Sequence, residues 1–362
     1  CAIRIYQESG GILKKIHVPR LARLSFKWES QHNVWLAVSF VCGFTALAYE
    51  VIWSRLLVFS IASTVYSFSM MLGVFLLGIM LGSLLVVTFS RSNLNLRTVL
   101  IFLQAGIGLY VIGSLYNIDQ LLSAPWNGYN LQKPVFVFSR YFLDSSALML
   151  LPAIGLGMSF PILVKMISGG YRHIGKETGQ IYGVNTLGAI LGSLLTGFLL
   201  IPKLGTQQSL LLVATLNLLM MLFLFRTGDY FTKTLRKVMT LVLAGVILIV
   251  NMGVPPDLLD RFFMRDSTGQ KDIRKLIYFE EGLTDTVAIF KDDYGILDPD
   301  AKRLVTNGVS MSAVNFVASR YMKLLAHIPI MLVDNPQDIL VVCFGTGQTT
   351  GAAAMHPKVK TV

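Results

Sequence analysis

The stretch that decides the fold is "DILVVCFGTGQTTGAAAMHPKVKTV", residues 338–362. A short apolar run, Ile339 to Phe344, meets the glycine-rich turn "GTGQTTG" and then the alanine-rich Ala352–Ala354. Strand, glycine loop and helix in that order open a nucleotide-binding sheet, because glycines let backbone amides approach a ligand. The glycines fall as G-x-G-x-x-x-G rather than the dinucleotide G-x-G-x-x-G, which favours an adenosyl-type ligand such as S-adenosylmethionine over NAD. A tight strand-to-helix turn without any ligand is the plainer alternative. An acidic residue able to hold a ribose would lie beyond Val362.

What precedes this stretch is membrane-like. Of 362 residues, 54% are hydrophobic and 14% charged, where a soluble domain carries about a quarter charged residues. The excess sits in runs between Val34 and Asn251. Seven of them approach the roughly 20 residues a membrane helix needs: 34–57, 65–89, 98–118, 142–167, 181–202, 208–225 and 237–253. Pro152 and Pro161 interrupt the fourth and predict a break there. Segment 120–141, with Trp126, Tyr129 and Tyr141, reads as interfacial.

The net charge of +11 follows membrane topology rather than a phosphate-binding surface, which argues against nucleic acid. Arg4, Lys14, Lys15, Arg20, Arg23 and Lys27 precede the first run. Arg91 and Arg97, then Lys165, Arg172 and Lys176, then Arg226, Lys233, Arg236 and Lys237 fill alternate loops, against Lys133, Arg140 and Lys203 in the others. The N-terminus and the basic loops are therefore expected in the cytoplasm. Seven spans then place the soluble part outside. The alternatives are a count wrong by one, or a last segment that is re-entrant or interfacial.

"GIMLGSLL" (78–85) recurs as "GAILGSLL" (188–195), in helices two and five. An inverted three-helix repeat explains this. So does a shared need for small residues where helix backbones approach. Asn185 and Asn217 read as interhelical hydrogen-bond donors and acceptors. Glu50 and Arg55 in "YEVIWSR" are ionisable groups at membrane depth: either functional, or a Glu bonded to a neighbouring helix and an Arg reaching to the interface. Cys1, Cys42 and Cys343 have neither disulfide nor metal spacing, and no metal site is expected.

From about Leu276 the period changes. "TVAIFKD" (286–292) alternates as a strand, "DDYG" (292–295) is a turn, and "KRLVTNGVSMSA" (302–313) is strand, Asn-Gly turn, strand. Residues 314–327 are helical in pattern, closed by Pro329 and "VDNPQD" (333–338). The expected organisation is a basic cytoplasmic segment 1–33, a polytopic α-helical membrane domain 34–253 and a linker 254–275. A β-hairpin subdomain 276–336 and the truncated start of a Rossmann-like α/β domain 337–362 follow. Both ends read as cut, so the chain reads as a fragment.

"YFEEGLTDTVAIF" (278–290), "RLVTNG" (303–308), "RYMKLLAHIPI" (320–330) and the closing stretch resemble the start of the spermidine synthase family. "GFTALAYEVIWSRLL" (43–57), "GIMLGS" (78–83) and "GQIYGVNTLGAILGSLLTGFLLIPKLG" (179–205) resemble its multi-spanning bacterial membrane members. The resemblance implies a β-hairpin subdomain before a methyltransferase-like sheet, in a bacterial plasma-membrane protein. It implies decarboxylated S-adenosylmethionine, or S-adenosylmethionine, as substrate at Gly345, Thr346, Gly347 and Gln348, with no metal. The implied partners are the bilayer and a small amine or other nucleophile, with a homodimer left open.

The departures concern the amine. The family's loop aspartate is Thr346 here, its Leu-Asp-Gly-x-x-Gln is Thr306 to Met311, and its Tyr-His/Gln-Glu is Tyr321, Met322 and Lys323. A polyamine wants carboxylates, and Lys323 in place of Glu is expected to repel it. The family's catalytic aspartate would lie downstream of Val362. Three readings stay open: aminopropyl or methyl transfer, a transporter or sensor with a non-catalytic nucleoside-binding domain, and a plain membrane anchor on a methyltransferase fold.

Overall fold

A computed structural model describes residues 32–61, 64–89, 95–122, 134–167, 174–228, 232–255, 258–259, 275–292, 298 and 300–362. The basic N-terminal stretch up to residue 31, Trp126, Tyr129, most of the expected linker and most of the 292–295 turn lie outside them. The membrane part comprises α1 (His32–Ile61), α2 (Val65–Phe89), α3 (Leu96–Tyr116), the short α4 (Ile118–Leu122), α5 (Pro134–Ser145), α6 (Leu151–Ile167), α7 (Ile174–Leu195), α8 (Ile201–Thr227) and α9 (Lys233–Met252). Among the described residues six helical bodies are long and apolar enough to cross a membrane.

Those six hold all seven expected segments, because one helical body covers the 53 residues Gly175–Thr227. At about 1.5 Å per residue such a rod would far exceed a hydrocarbon core of about 30 Å. Gly205, at φ 80° and ψ 166°, breaks it in two. A side chain is strained at that φ, so glycine is required. The break expected in the fourth segment is absent. A π turn, Ser146–Leu150, joins α5 to α6 just before Pro152, and Pro161 sits inside α6. A proline clashes with the carbonyl four residues back, and the wider π turn at that spot accommodates it.

Glycines set the closest helix pairs. A methyl built on Gly188 or Gly192 of α7 would lie 2.1 or 2.2 Å from the carbonyl oxygens of Phe40 and Phe44 of α1. Built on Gly82 of α2, it would lie 2.1 Å from the carbonyl oxygen of Ile154, and on Gly78 it would lie 3.1 Å from that of Leu150. Adding 110 to residues 40, 44, 78 and 82 gives 150, 154, 188 and 192. The pair α1–α7 therefore reappears as the pair α6–α2, with the roles of first and second unit exchanged. That exchange is what an inverted repeat produces, and it accounts for the two copies of G-x-x-x-G-S-L-L.

Four central helices share a buried polar chain. Tyr49 Oη donates to Asn217 Oδ1 (2.8 Å), Asn217 Nδ2 to Gln104 Oε1 (2.6 Å), and Gln104 Nε2 to Ser159 Oγ (3.2 Å). Asn217 thus joins α1, α3 and α8 as expected. Asn185 instead meets Gly43 through its backbone carbonyl. Around the chain pack Trp53, Ile52, Leu56, Val111 and Leu148, all fully buried.

Beyond the bundle, β1 (Lys275–Glu281), β2 (Thr286–Lys291), β3 (Lys302–Thr306) and β4 (Val309–Val314) form an antiparallel meander in that order. The β3–β4 turn is Asn307-Gly308 at φ 51° and 78°, the left-handed pair a two-residue hairpin demands. Asn307 also ties the turns together, accepting from the Thr286 amide (2.9 Å) and donating to Asp285 (2.6 Å). Helix α10 (Phe316–Leu332) starts on Asn315, whose side chain accepts from the Ala318 amide. It runs through Pro329 instead of ending before it, since the lost bond falls in its last turn.

The strand expected over 339–344 is not formed. Only Asp338 bridges Thr361, in parallel. Leu340 is 88% exposed and Phe344 70%, and Cys343 is exposed at φ 74°. A parallel strand is stabilised by neighbours and by covered faces, and here a single bridge stands on one side.

Candidate functional site

The glycine loop Phe344–Gly347 leads into α11 (Gln348–Ala354) and touches strand β4 of the hairpin sheet at Ser312. Two glycines shape it. Gly345 (φ 57°) brings the loop beside Ser312, whose Oγ would lie 3.3 Å from an added methyl. Gly347 (φ 74°) would carry its methyl 2.9 Å from the Phe344 ring. The two positions need glycine for conformation and for space.

Thr346 is held by its side chain. Its hydroxyl shares a hydrogen bond with Ser312 Oγ (2.9 Å), and both hydroxyls lie near Met322 Sδ, at 3.7 and 3.4 Å. Thr349 Oγ1 donates to the Met322 carbonyl (2.9 Å). Thus Met322 of α10, Ser312 of β4 and the loop form one cluster. Sequence reading treated Met322 only as a departure from a family triplet; its place four residues after Ala318 and four before Ala326, on the apolar stripe of α10, was the available signal.

A cavity of about 1180 Å³ opens beside this cluster. Gly345, Thr346 and Gln348 line it with Ser312, Tyr321 and Met322, while Gly347 shapes the loop behind. Gln348 Oε1 is buried with no hydrogen-bond partner. A buried acceptor left unpaired is costly, and this one can receive an N–H or O–H from a bound molecule. Lys323 is exposed and is not among the lining residues. Asp338 is the one carboxylate among the described lining residues, and its Oδ1 accepts from the Thr361 hydroxyl. It sits in "VDNPQD", where the punctuation of Pro and Asn drew attention to the helix end rather than to the acid.

Glu50 and Arg55 are not brought together. Glu50 is half-buried on α1. Arg55 turns out of the bundle, and its Nη2 donates to the carbonyls of Gly282 (2.9 Å) and Leu283 in the β1–β2 turn. From the next strand end, Glu281 accepts from the amide (2.9 Å) and hydroxyl of Thr206, the residue after the Gly205 break. Gly308 packs on Phe59. The hairpin domain is thereby seated on the end of α1 and on the Gly205 break near the start of α8. A carboxylate at a helix start is favourable, so Glu281 serves as a cap supplied from another domain.

The chain is similar to the polyamine aminopropyltransferase of Oceanobacillus iheyensis, with 23% identity over 332 residues, 89% of this chain. It spans 57% of that relative's length. No family model matches, and no solved structure matches. The similarity takes in membrane and soluble parts together.

Proposed function

We propose that this chain is the membrane domain and donor-binding start of an integral-membrane aminopropyltransferase. Its substrates are decarboxylated S-adenosylmethionine and an amine such as putrescine. The observation that carries the reading is the cavity whose wall is the Gly345–Gln348 loop, in a chain similar along 89% of its length to a polyamine aminopropyltransferase. The parallel bridge between Asp338 and Thr361, flanking α11, supports a Rossmann-like sheet with its first crossover over 337–362. The loop asymmetry supports a cytoplasmic N-terminus, in a bacterial plasma membrane.

In the reaction the amine nitrogen attacks the aminopropyl carbon next to the sulfonium. The C–N bond forms, the C–S bond breaks, methylthioadenosine leaves, and the amine gives its proton to a general base. Positioning and that base supply the rate. The chain's own residues hold the donor: Gly345 and Gly347 permit close approach, Thr346 is oriented by Ser312 and Met322, and Gln348 Oε1 accepts a donor hydrogen bond. No described residue is assigned the base. With Thr346 replacing a carboxylate, Asp338 is the residue left to attract a cation at the wall.

Methylthioadenosine tests the donor site. Calorimetry on the full protein in detergent is expected to show saturable binding. Gly347→Val is expected to weaken it by about tenfold or more, since a left-handed backbone costs a side chain about 1–2 kcal/mol and the Phe344 ring must also move. Binding by neither protein, or equal binding by both, contradicts the assignment.

A second reading has its own observation. The 110-residue repeat of the glycine contacts is the architecture of several carriers, and favours a transporter or sensor with a nucleoside-binding domain if no product is formed.

A further inference from the structure

The two faces of the bundle can be told apart by contact. On one, Arg97 at the start of α3 donates to the Leu224 carbonyl (3.1 Å) and to Thr227 at the end of α8, and His32 meets Gln180 (3.1 Å) at the starts of α1 and α7. Lys165, Lys176, Arg226, Lys233, Arg236 and Lys237 belong to this face by their places at the ends of α6 and α8 and the starts of α7 and α9.

On the other face lie the end of α1 and the Gly205 break. There Arg55 holds the β1–β2 turn and Glu281 caps Thr206. The end of α9 arrives on the same face: a methyl on Gly253 would lie 3.7 Å from Tyr116 Oη, at the end of α3. Gln207 then bonds the Pro255 carbonyl (2.6 Å) and the Leu259 amide (3.1 Å). Within the bundle, the described cations of this face besides Arg55 are Arg140, paired with Asp144 (2.9 Å), and Lys203.

We infer that the hairpin domain and its cavity stand on the extracytoplasmic face of the membrane. Basic loops stay in the cytoplasm, and the contacts seat the domain on the face opposite them. The three openings left by the sequence reduce to one, because α9 crosses from the basic face to the other. This sidedness stands independently of the transferase reading. One consequence does rest on that reading: a nucleoside donor made in the cytoplasm must be translocated before it reaches the Gly345–Gln348 loop.

Single-cysteine labelling of the full protein in an expressing bacterial host tests this. Serine at every reactive cysteine of the full protein, Cys1 and Cys343 among them, removes the background, and the buried Cys42 stays. Asp300→Cys reports from the exposed β2–β3 connection, and Thr234→Cys from the exposed start of α9. With a membrane-impermeant maleimide on spheroplasts, Asp300→Cys should label as fully before permeabilisation as after. Thr234→Cys should label only after it. Labelling of Asp300→Cys only after permeabilisation overturns the inference, and so does equal labelling of both in intact spheroplasts. Neither outcome depends on transferase activity, so a failure here is distinct from a failure of the proposed reaction.

Discussion

Alanine at Gly82 or Gly192 is expected to cost the bundle its native packing, with a drop of roughly 1–3 kcal/mol or more at each site. The reason is the atom that the new methyl meets. It would stand 2.1 Å from the Ile154 carbonyl oxygen in one case and 2.2 Å from that of Phe44 in the other. Both are backbone atoms of a neighbouring helix, so no rotamer change relieves the overlap and the helices must separate. Separation exposes the backbone approach that small residues exist to permit. Gly73→Ala and Gly106→Ala are the controls, since nothing lies within 4 Å of the added methyl. These should be neutral or stabilising by up to about 1 kcal/mol, as alanine is the better helix former. Thermal survival of the monodisperse peak in detergent measures all four. Because the two glycines are related by the 110-residue repeat, their losses should be of similar size. A large loss at one and none at the other would refute the equivalence.

The second large effect is expected at the seat of the hairpin domain. Arg55→Ala removes the guanidinium from the Gly282 and Leu283 carbonyls, and Glu281→Ala removes the cap from Thr206. Hydrogen bonds to charged groups contribute about 1.5–3 kcal/mol each when formed. The two sites are adjacent along one turn, so their effects should be less than additive in the double variant. Limited proteolysis between residues 256 and 274 reads the result. Cleavage there should become about tenfold faster in either single variant, by the size of the lost bonds, while the membrane bundle keeps its thermal midpoint. Unchanged cleavage in both would show that the domain is held by other contacts.

Much of this architecture was legible in the sequence because membrane helices and Asn-Gly hairpins depend on local composition. The seven apolar segments lie within the described helices, and Asn307-Gly308 makes the turn its residues require. What was not legible depended on contacts across the chain. Pro152 reads locally as a break, yet a π turn beside it preserves the helix. Gly205 read as one glycine among many, although its left-handed backbone divides the longest helix. Arg55 read as a functional group at membrane depth or as an arginine reaching to the interface, whereas it answers to a turn more than two hundred residues away. In the candidate site, the loop glycines were visible as a spacing, but the sulfur of Met322 between Ser312 and Thr346 was not. The apolar run 339–344 shows the converse: strand-forming residues remain outside a ladder when only Asp338 finds a partner.

The most direct test of the proposed chemistry is product formation by the full protein in detergent with decarboxylated S-adenosylmethionine and putrescine, followed by mass spectrometry. Methylthioadenosine and spermidine appearing in equal amounts is the predicted result. Absence of both, from protein that binds methylthioadenosine saturably, would contradict aminopropyl transfer and move the function to the helices.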